Sequence, residues 1–223
     1  MNEATRTTLY LIRHGESEMN REDRFAGHTD TPLTALGLRQ AESTARFLDD
    51  VPFSAVYASD LRRAFATGDA VARRHGLETI ACPGLREIYA GAWEGLLYRE
   101  IYERYPAAIT TWCNDIGNAA CTDGETVAQL QQRIRAAIED IVRRHPGQTL
   151  CIATHATPIR VMECVWRGLS LADMQQIPWV SNASVTIVRY DIDAQGGLTG
   201  QLVQRDLHEH LGSDLTVLPQ ITL

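Results

Sequence analysis

Two histidines stand where an apolar run gives out. Arg13-His14-Gly15-Glu16-Ser17 follows Leu9-Tyr10-Leu11-Ile12, and Thr154-His155-Ala156 follows Leu150-Cys151-Ile152-Ala153. An imidazole held at the mouth of a sheet is a nucleophile or proton carrier near neutral pH. The adjacent Arg13 brings a planar fork suited to phosphate or carboxylate oxygens. After His155, Pro158 suits a first helical turn, whose free N–H groups form a ready anion site. In Ser59-Asp60-Leu61-Arg62-Arg63-Ala64, an Arg early in a helix can point back over a sheet edge. Glu87, in Leu85-Arg86-Glu87-Ile88 ahead of Gly91-Ala92-Trp93-Glu94-Gly95, offers a carboxyl proton. Each piece alone has an ordinary alternative: a histidine beside a turn, a core histidine at a strand end, a solvated Arg pair, a surface carboxylate.

These residues need elements that bring them together. Thr7–Ile12 reads as a buried strand. A helix capped by Thr34 follows, with Leu38, Ala41, Ala45 and Leu48 on one face. Phe53–Ala58 reads as a second strand, and a helix capped by Asp60 or Ser59 runs to His75-Gly76. Glu78–Ala81 is a short extended piece. The stretch from Leu85 to Gly124 is rich in aromatics and holds one short helix at Tyr98–Tyr105, stopped by Pro106. Val127, Leu130, Ile134, Ile138 and Ile141 mark a strong amphipathic helix. Thr149–Ala153 is a buried strand, and Pro158 opens a helix through Trp166. Ser184–Tyr190 and Gln201–Leu207, around Gly196-Gly197, read as a hairpin. Strands alternating with helices imply an α/β three-layer α/β/α sandwich, its sheet mostly parallel with an antiparallel edge near the C-terminus. Ligands in such folds bind at the carboxyl ends of the strands, where both histidines fall. The expected organisation is a single domain over residues 1–223, with a cap-like subregion at about 88–125.

Composition narrows the function. The 223 residues carry a formal net charge of −7, and no block of basic residues interrupts it. That argues against nucleic acid and anionic membrane as partners. All 21 basic residues are Arg. Without Lys there is no Walker-type phosphate loop and no Schiff base. An anionic substrate would be held by local Arg. Five Cys without a CxxC pair read as reduced thiols in a cytoplasmic protein.

In chain order the pieces resemble the histidine phosphatase (phosphoglycerate mutase-like) superfamily. The matching segments are Arg13–Ser17 with Asn20, Pro32–Thr34 with Gly37 and Gln40-Ala41, Ser59–Ala64, Leu85–Gly95, and His155. The resemblance implies that His14 attacks phosphorus and becomes a phosphohistidine, its other ring nitrogen bound to a backbone carbonyl. It implies that Arg13 and Arg63 clamp the phosphoryl oxygens, that Asn20 binds one of them, and that His155 adds a donor. Glu87 would protonate the leaving group, then accept a proton from water. No metal and no cofactor are implied, and the substrate would be a small-molecule phosphate ester. Two positions depart from the family: Ala156 stands where Gly is usual, so its N–H faces the phosphate with a Cβ beside it, and Ala26 stands where many relatives are polar. The run Arg86–Gly91 with Trp93-Glu94-Gly95 resembles the phosphatase branch. The alternatives are a cofactor-dependent phosphoglycerate mutase, a non-catalytic phosphate-binding regulatory module, or a zinc hydrolase using His14, His155 and Glu87. Two further features stay open. The aromatics from Tyr89 to Trp112 either stack on substrate or pack a subcore. The alternating tail from Ser213 to Leu223 either pairs with a second copy in a homo-oligomer or covers the sheet edge.

Overall fold

β1 (Thr5–Arg13) is buried on both faces at Leu9, Leu11 and Ile12, as a central strand must be. The computed structural model describes residues 5–216. Chain order continues with α1 (Glu18–Arg21), α2 (Ala35–Phe47), β2 (Ala55–Ala58), α3 (Arg62–Arg74), β3 (Thr79–Ala81), α4 (Tyr98–Arg104) and α5 (Pro106–Asn114). α6 (Val127–Arg144), β4 (Thr149–Thr154), α7 (Ala156–Arg167), β5 (Val185–Ile192), β6 (Leu198–Leu207) and α8 (Gly212–Leu215) complete it. The six strands lie in the order β3-β2-β4-β1-β5-β6. β1, β2, β3 and β4 pair in parallel, while β5 and β6 run antiparallel at one edge.

Side-chain alternation sorts the strands onto two cores. Leu9, Leu11, Tyr57, Leu150 and Ile152 pack toward Leu130, Ile134 and Ile138 of α6 and Ile159 and Met162 of α7. Ile12, Val56 and Cys151 face the other way, toward Ala41 and Ala45 of α2 and Val71 of α3. The result is the three-layer α/β/α sandwich expected from the sequence, with its antiparallel C-terminal strands. Among the described residues no helix is long and apolar enough to cross a membrane.

Local signals set most helix ends, with three corrections. The Thr34 hydroxyl accepts the Gly37 N–H and caps α2, and Thr126 with Gln129 forms a capping box on α6. α3 is not capped by Asp60 or Ser59: Leu61 is its N-cap and contributes no side-chain bond, because both polar side chains are engaged elsewhere. Pro106 ends α4 and also opens α5, since its missing N–H costs nothing in a first turn. α7 begins at Ala156, two residues ahead of Pro158. The aromatic stretch is chiefly a subcore. Trp93 and Trp112 are buried and meet Phe25 edge-on, with ring centroids 5.5 and 5.2 Å away. Of the tail, residues 213–216 are described; Gln40 Nε2 donates to the Leu215 carbonyl at 2.7 Å, which lays this part on α2 rather than on the sheet edge. The remainder of the tail, 217–223, lies outside the described residues.

Candidate active site

Strand order brings the chemistry to one end of the sheet. Arg13 pairs with Thr154 across β1 and β4, so the next residues, His14 and His155, leave the sheet side by side. Their rings meet edge to face with centroids 5.1 Å apart. On the other side of β4, Ala58 pairs with Ala153, which sets Ser59 level with the same mouth. His14 is 4% exposed and His155 wholly buried.

The loop carrying His14 is clamped to the start of α2. A Cβ on Gly15 would lie 2.4 Å from the Gly37 carbonyl oxygen, and one on Gly37 would lie 2.0 Å from that of Glu16. Two backbones this close tolerate only glycine on each side. The Glu16 N–H donates to Gln40 Oε1 at 2.7 Å, and the Gly15 N–H to Thr67 Oγ1 at 3.1 Å. Gly37 and Gln40 therefore hold the loop that carries His14. From the other side, Asn182 Nδ2 donates to the His14 carbonyl at 3.0 Å. The Ala183 N–H, at a positive φ of 57°, reaches the Arg13 and His14 carbonyls. That turn is tied down by Asp206, which accepts the Ser181 N–H at 2.6 Å.

The His14 ring is fixed at both nitrogens. Nδ1 lies 2.7 Å from the Gly15 carbonyl oxygen, which can only accept, so Nδ1 carries the proton. Nε2 is left with a lone pair, and Arg63 Nε donates to it at 3.3 Å. The rest of the Arg63 fork is anchored: Nη1 donates to the Thr29 carbonyl and Nη2 to the Gly27 carbonyl, each at 2.8 Å. Burial, and then the nearby Arg63, hold the His14 and His155 imidazoles well below the usual histidine range. Both are neutral at physiological pH, and His14 presents an unprotonated nitrogen. Arg13 donates to the Val180 carbonyl, and its Nε is buried without a partner among the described residues. Burial pushes the Arg13 and Arg63 guanidinium groups down to about 10, so both stay charged. Two cations and two neutral imidazoles around one lone pair form a pocket for an anion whose central atom can accept that lone pair.

Glu87 joins the site from the loop after β3. Its Oε2 accepts the Thr157 N–H from the first turn of α7 at 3.4 Å, and its Oε1 accepts the Ile88 N–H at 2.8 Å. Its backbone is strapped down by Arg133 of α6. Arg133 Nη2 donates to the Glu87 carbonyl at 2.9 Å, Nη1 to the Gly84 and Arg86 carbonyls, and Nε to Glu125 at 2.8 Å. Glu94 accepts the His28 N–H at 2.8 Å and the Ala90 N–H at 3.2 Å, joining the loop after α1 to the one that follows Glu87.

Other expected residues fall around this centre. Asn20, the third residue of α1, has its Oδ1 accepting from Ser17 N and Oγ at 3.1 and 3.0 Å, which leaves Nδ2 for a ligand. Ala156 is the first residue of α7 and is 7% exposed. Ala26 is half-buried, next to the Gly27 carbonyl that holds Arg63. His14, His155 and Glu87 do not converge as a metal-ligand set. Sequence reasoning missed Asn182, Asp206 and Arg133. An Asn, an Asp and an Arg are common surface residues, and no local pattern distinguishes these three.

Residues 9–197 match the family model described as "Histidine phosphatase superfamily (branch 1)". Phosphoserine phosphatase 1 of Hydrogenobacter thermophilus is 31% identical over 183 residues, covering 82% of this chain and 86% of that protein. Among solved structures, Bacillus stearothermophilus YhfR superposes with a TM-score of 0.85 at 32% identity, over 92% of this chain and 99% of its own. The mycobacterial glucosyl-3-phosphoglycerate phosphatase Rv2419c, in complex with VO3, superposes with a TM-score of 0.81 at 26% identity, over 90% of this chain and 99% of its own.

Proposed function

The chain belongs to branch 1 of the histidine phosphatase superfamily, and we propose that it is a metal-independent phosphomonoesterase carrying the phosphoryl group on His14 Nε2. The observation that carries this reading is the proton arrangement on His14: Nδ1–H spent on the Gly15 carbonyl, Nε2 bare and faced by Arg63. In the first step the Nε2 lone pair forms a bond to phosphorus as the bond to the ester oxygen breaks. Glu87 gives its proton to the departing alkoxide. In the second step Glu87 takes a proton from water, the hydroxide oxygen bonds to phosphorus, and the P–N bond breaks to release inorganic phosphate. Arg13, Arg63, His155, the Ala156 N–H and Asn20 Nδ2 hold the three non-bridging oxygens. Phosphoryl transfer asks mainly for this positioning and charge neutralisation.

The substrate is a small phosphorylated metabolite. The relatives named for phosphoserine and glucosyl-3-phosphoglycerate support that class. Residues 88–125 form its cap within a single domain. Tyr89 is 43% exposed and its ring lies 5.3 Å from that of His28, whose Nε2 meets the Glu87 carbonyl. That leaves aromatic surface for a substrate beside the acid.

Hydrolysis of p-nitrophenyl phosphate in excess chelator, by wild type and His14→Ala, tests the reading. Activity that survives the chelator and disappears in the variant is expected. Activity retained by His14→Ala would overturn the phosphohistidine route, and activity lost to chelator the metal-free one. Turnover that requires a bisphosphate primer and yields an isomer in place of inorganic phosphate would make the protein a mutase.

A further inference from the structure

Ser59 follows the last residue of β2 and is wholly buried. Its hydroxyl oxygen lies 2.9 Å from His155 Nε2 and accepts the Leu61 N–H at 3.3 Å. A serine hydroxyl has one proton and two lone pairs. Were the His155 proton on Nε2, the oxygen would receive two N–H groups, and its own proton would find no acceptor among the described residues. With Ser59 as donor, both its proton and Nε2 are satisfied. The proton of the neutral imidazole then belongs on Nδ1. That atom is buried and has no hydrogen-bond partner among the described residues.

A buried donor without an acceptor carries the full desolvation penalty of its N–H. Such a group persists where a ligand supplies the missing partner. The His14 ring, which takes the phosphoryl group in the reading above, is the neighbour in edge contact. A phosphoryl group on its way to His14 brings three acceptor oxygens into that neighbourhood.

On the assignment of His14 as phosphoryl acceptor, we propose that Ser59 is a positioning residue: by donating to His155 Nε2 it fixes the tautomer that keeps Nδ1–H free for a phosphoryl oxygen. The neutral state this requires follows from the burial that holds His155 below its usual range. The serine that opens the Ser59–Ala64 segment thus acts through a histidine 96 positions away, while Arg63 of the same segment faces His14. One short stretch, from the end of β2 into the first turn of α3, sets the proton position of one imidazole and meets the lone pair of the other.

Nitrogen NMR of the full chain labelled at histidine, at pH 7.5, reads the tautomer directly, with His155 assigned by the signals lost in His155→Gln. The expected spectrum has the proton on Nδ1 and a bare Nε2. In Ser59→Ala the proton should redistribute toward Nε2. With p-nitrophenyl phosphate, kcat should fall about 10²- to 10³-fold, the scale of losing one transition-state donor, with KM little changed. The inhibition constant of vanadate, a mimic of the trigonal phosphoryl group, should rise by a similar factor. Ser59→Thr, which keeps the hydroxyl, should retain both tautomer and kcat. A wild-type spectrum with the proton on Nε2 overturns the proposal, as does Ser59→Ala with unchanged tautomer or unchanged kcat. If Ser59→Ala does not fold, the wild-type spectrum and Ser59→Thr still decide it. Failure of the parent reading shows elsewhere, as activity surviving in His14→Ala, and leaves the spectrum to judge Ser59 by itself.

Discussion

Lowering the pH from 7 to 5 should erode this protein's stability through two buried histidines. His14 and His155 are buried and neutral, with pKa values well below 6.5 because burial and then Arg63 oppose their charge. In the unfolded chain both return to about 6.5 and take up protons as the pH falls. The unfolded state then binds more protons than the folded one, so stability is lost as pH drops below about 6.5. For a group that titrates at about 6.5 unfolded and stays neutral when folded, the loss between pH 7 and 5 is about 2 kcal/mol. The two imidazoles together lose up to about 4 kcal/mol, a large part of the roughly 5–15 kcal/mol of a typical domain. His210, also shifted down by burial, adds a loss of the same sign. The carboxylates held low by arginines, Asp49 and Asp60, change protonation below about 4 and stay outside the window. Urea denaturation at pH 7.0 and 5.0 should show the loss in wild type, and a His14→Asn/His155→Gln variant should lose less, by up to about 4 kcal/mol. The comparison of slopes cancels His210 and every other shared group. Equal slopes in the two proteins would refute the reasoning.

Three further outcomes follow from named contacts. Glu87→Gln should slow alkyl phosphates about 10²- to 10⁴-fold and p-nitrophenyl phosphate much less, because a good leaving group needs no acid; equal losses on both would remove Glu87 from the acid role. Arg63→Ala strips donors from the Gly27 and Thr29 carbonyls as well as from the proposed phosphoryl site. It should cut kcat at least 10²-fold and lower stability by about 2–4 kcal/mol, read by p-nitrophenyl phosphate turnover and urea midpoints; near-normal turnover would exclude it from the site. Trp93→Ala should cost about 3–5 kcal/mol of stability while leaving the KM for p-nitrophenyl phosphate within a few-fold, as its burial against Phe25 requires. A large rise in KM without loss of stability would make Trp93 a substrate platform.

Much of this molecule was legible in the chain because much of it is local. Thr34 and Thr126 cap helices by bonds that reach three residues ahead. The spacing of Val127, Leu130, Ile134 and Ile138 declares its helix through a 3.6-residue period alone. His14 and His155 were visible because each ends an apolar run, and a parallel α/β sheet binds at its strands' carboxyl ends. Where local signals failed, a tertiary demand had outbid them. Asp60 does not cap α3 because its carboxylate pairs with Arg86 at 2.7 Å, and Ser59 does not because its hydroxyl meets His155. No spacing rule says that Arg133, in the polar face of a helix, straps the loop carrying Glu87, or that Asp206 ties down the turn that holds the His14 carbonyl.

The sequence by itself determined most of the inventory: the strands and longer helices, that charge at the site must come from arginine, and which imidazoles and carboxylate are available. Only the tertiary structure decided who meets whom. The insertion of β4 between β1 and β2 sets His14, His155 and Ser59 at one sheet end. The proton position on each ring then follows from partners 1 and 96 residues away. Periodicity and capping are properties of a few consecutive residues. Strand order, burial and hydrogen-bond direction are properties of the closed chain, and those three set the proton positions on which the proposed chemistry depends.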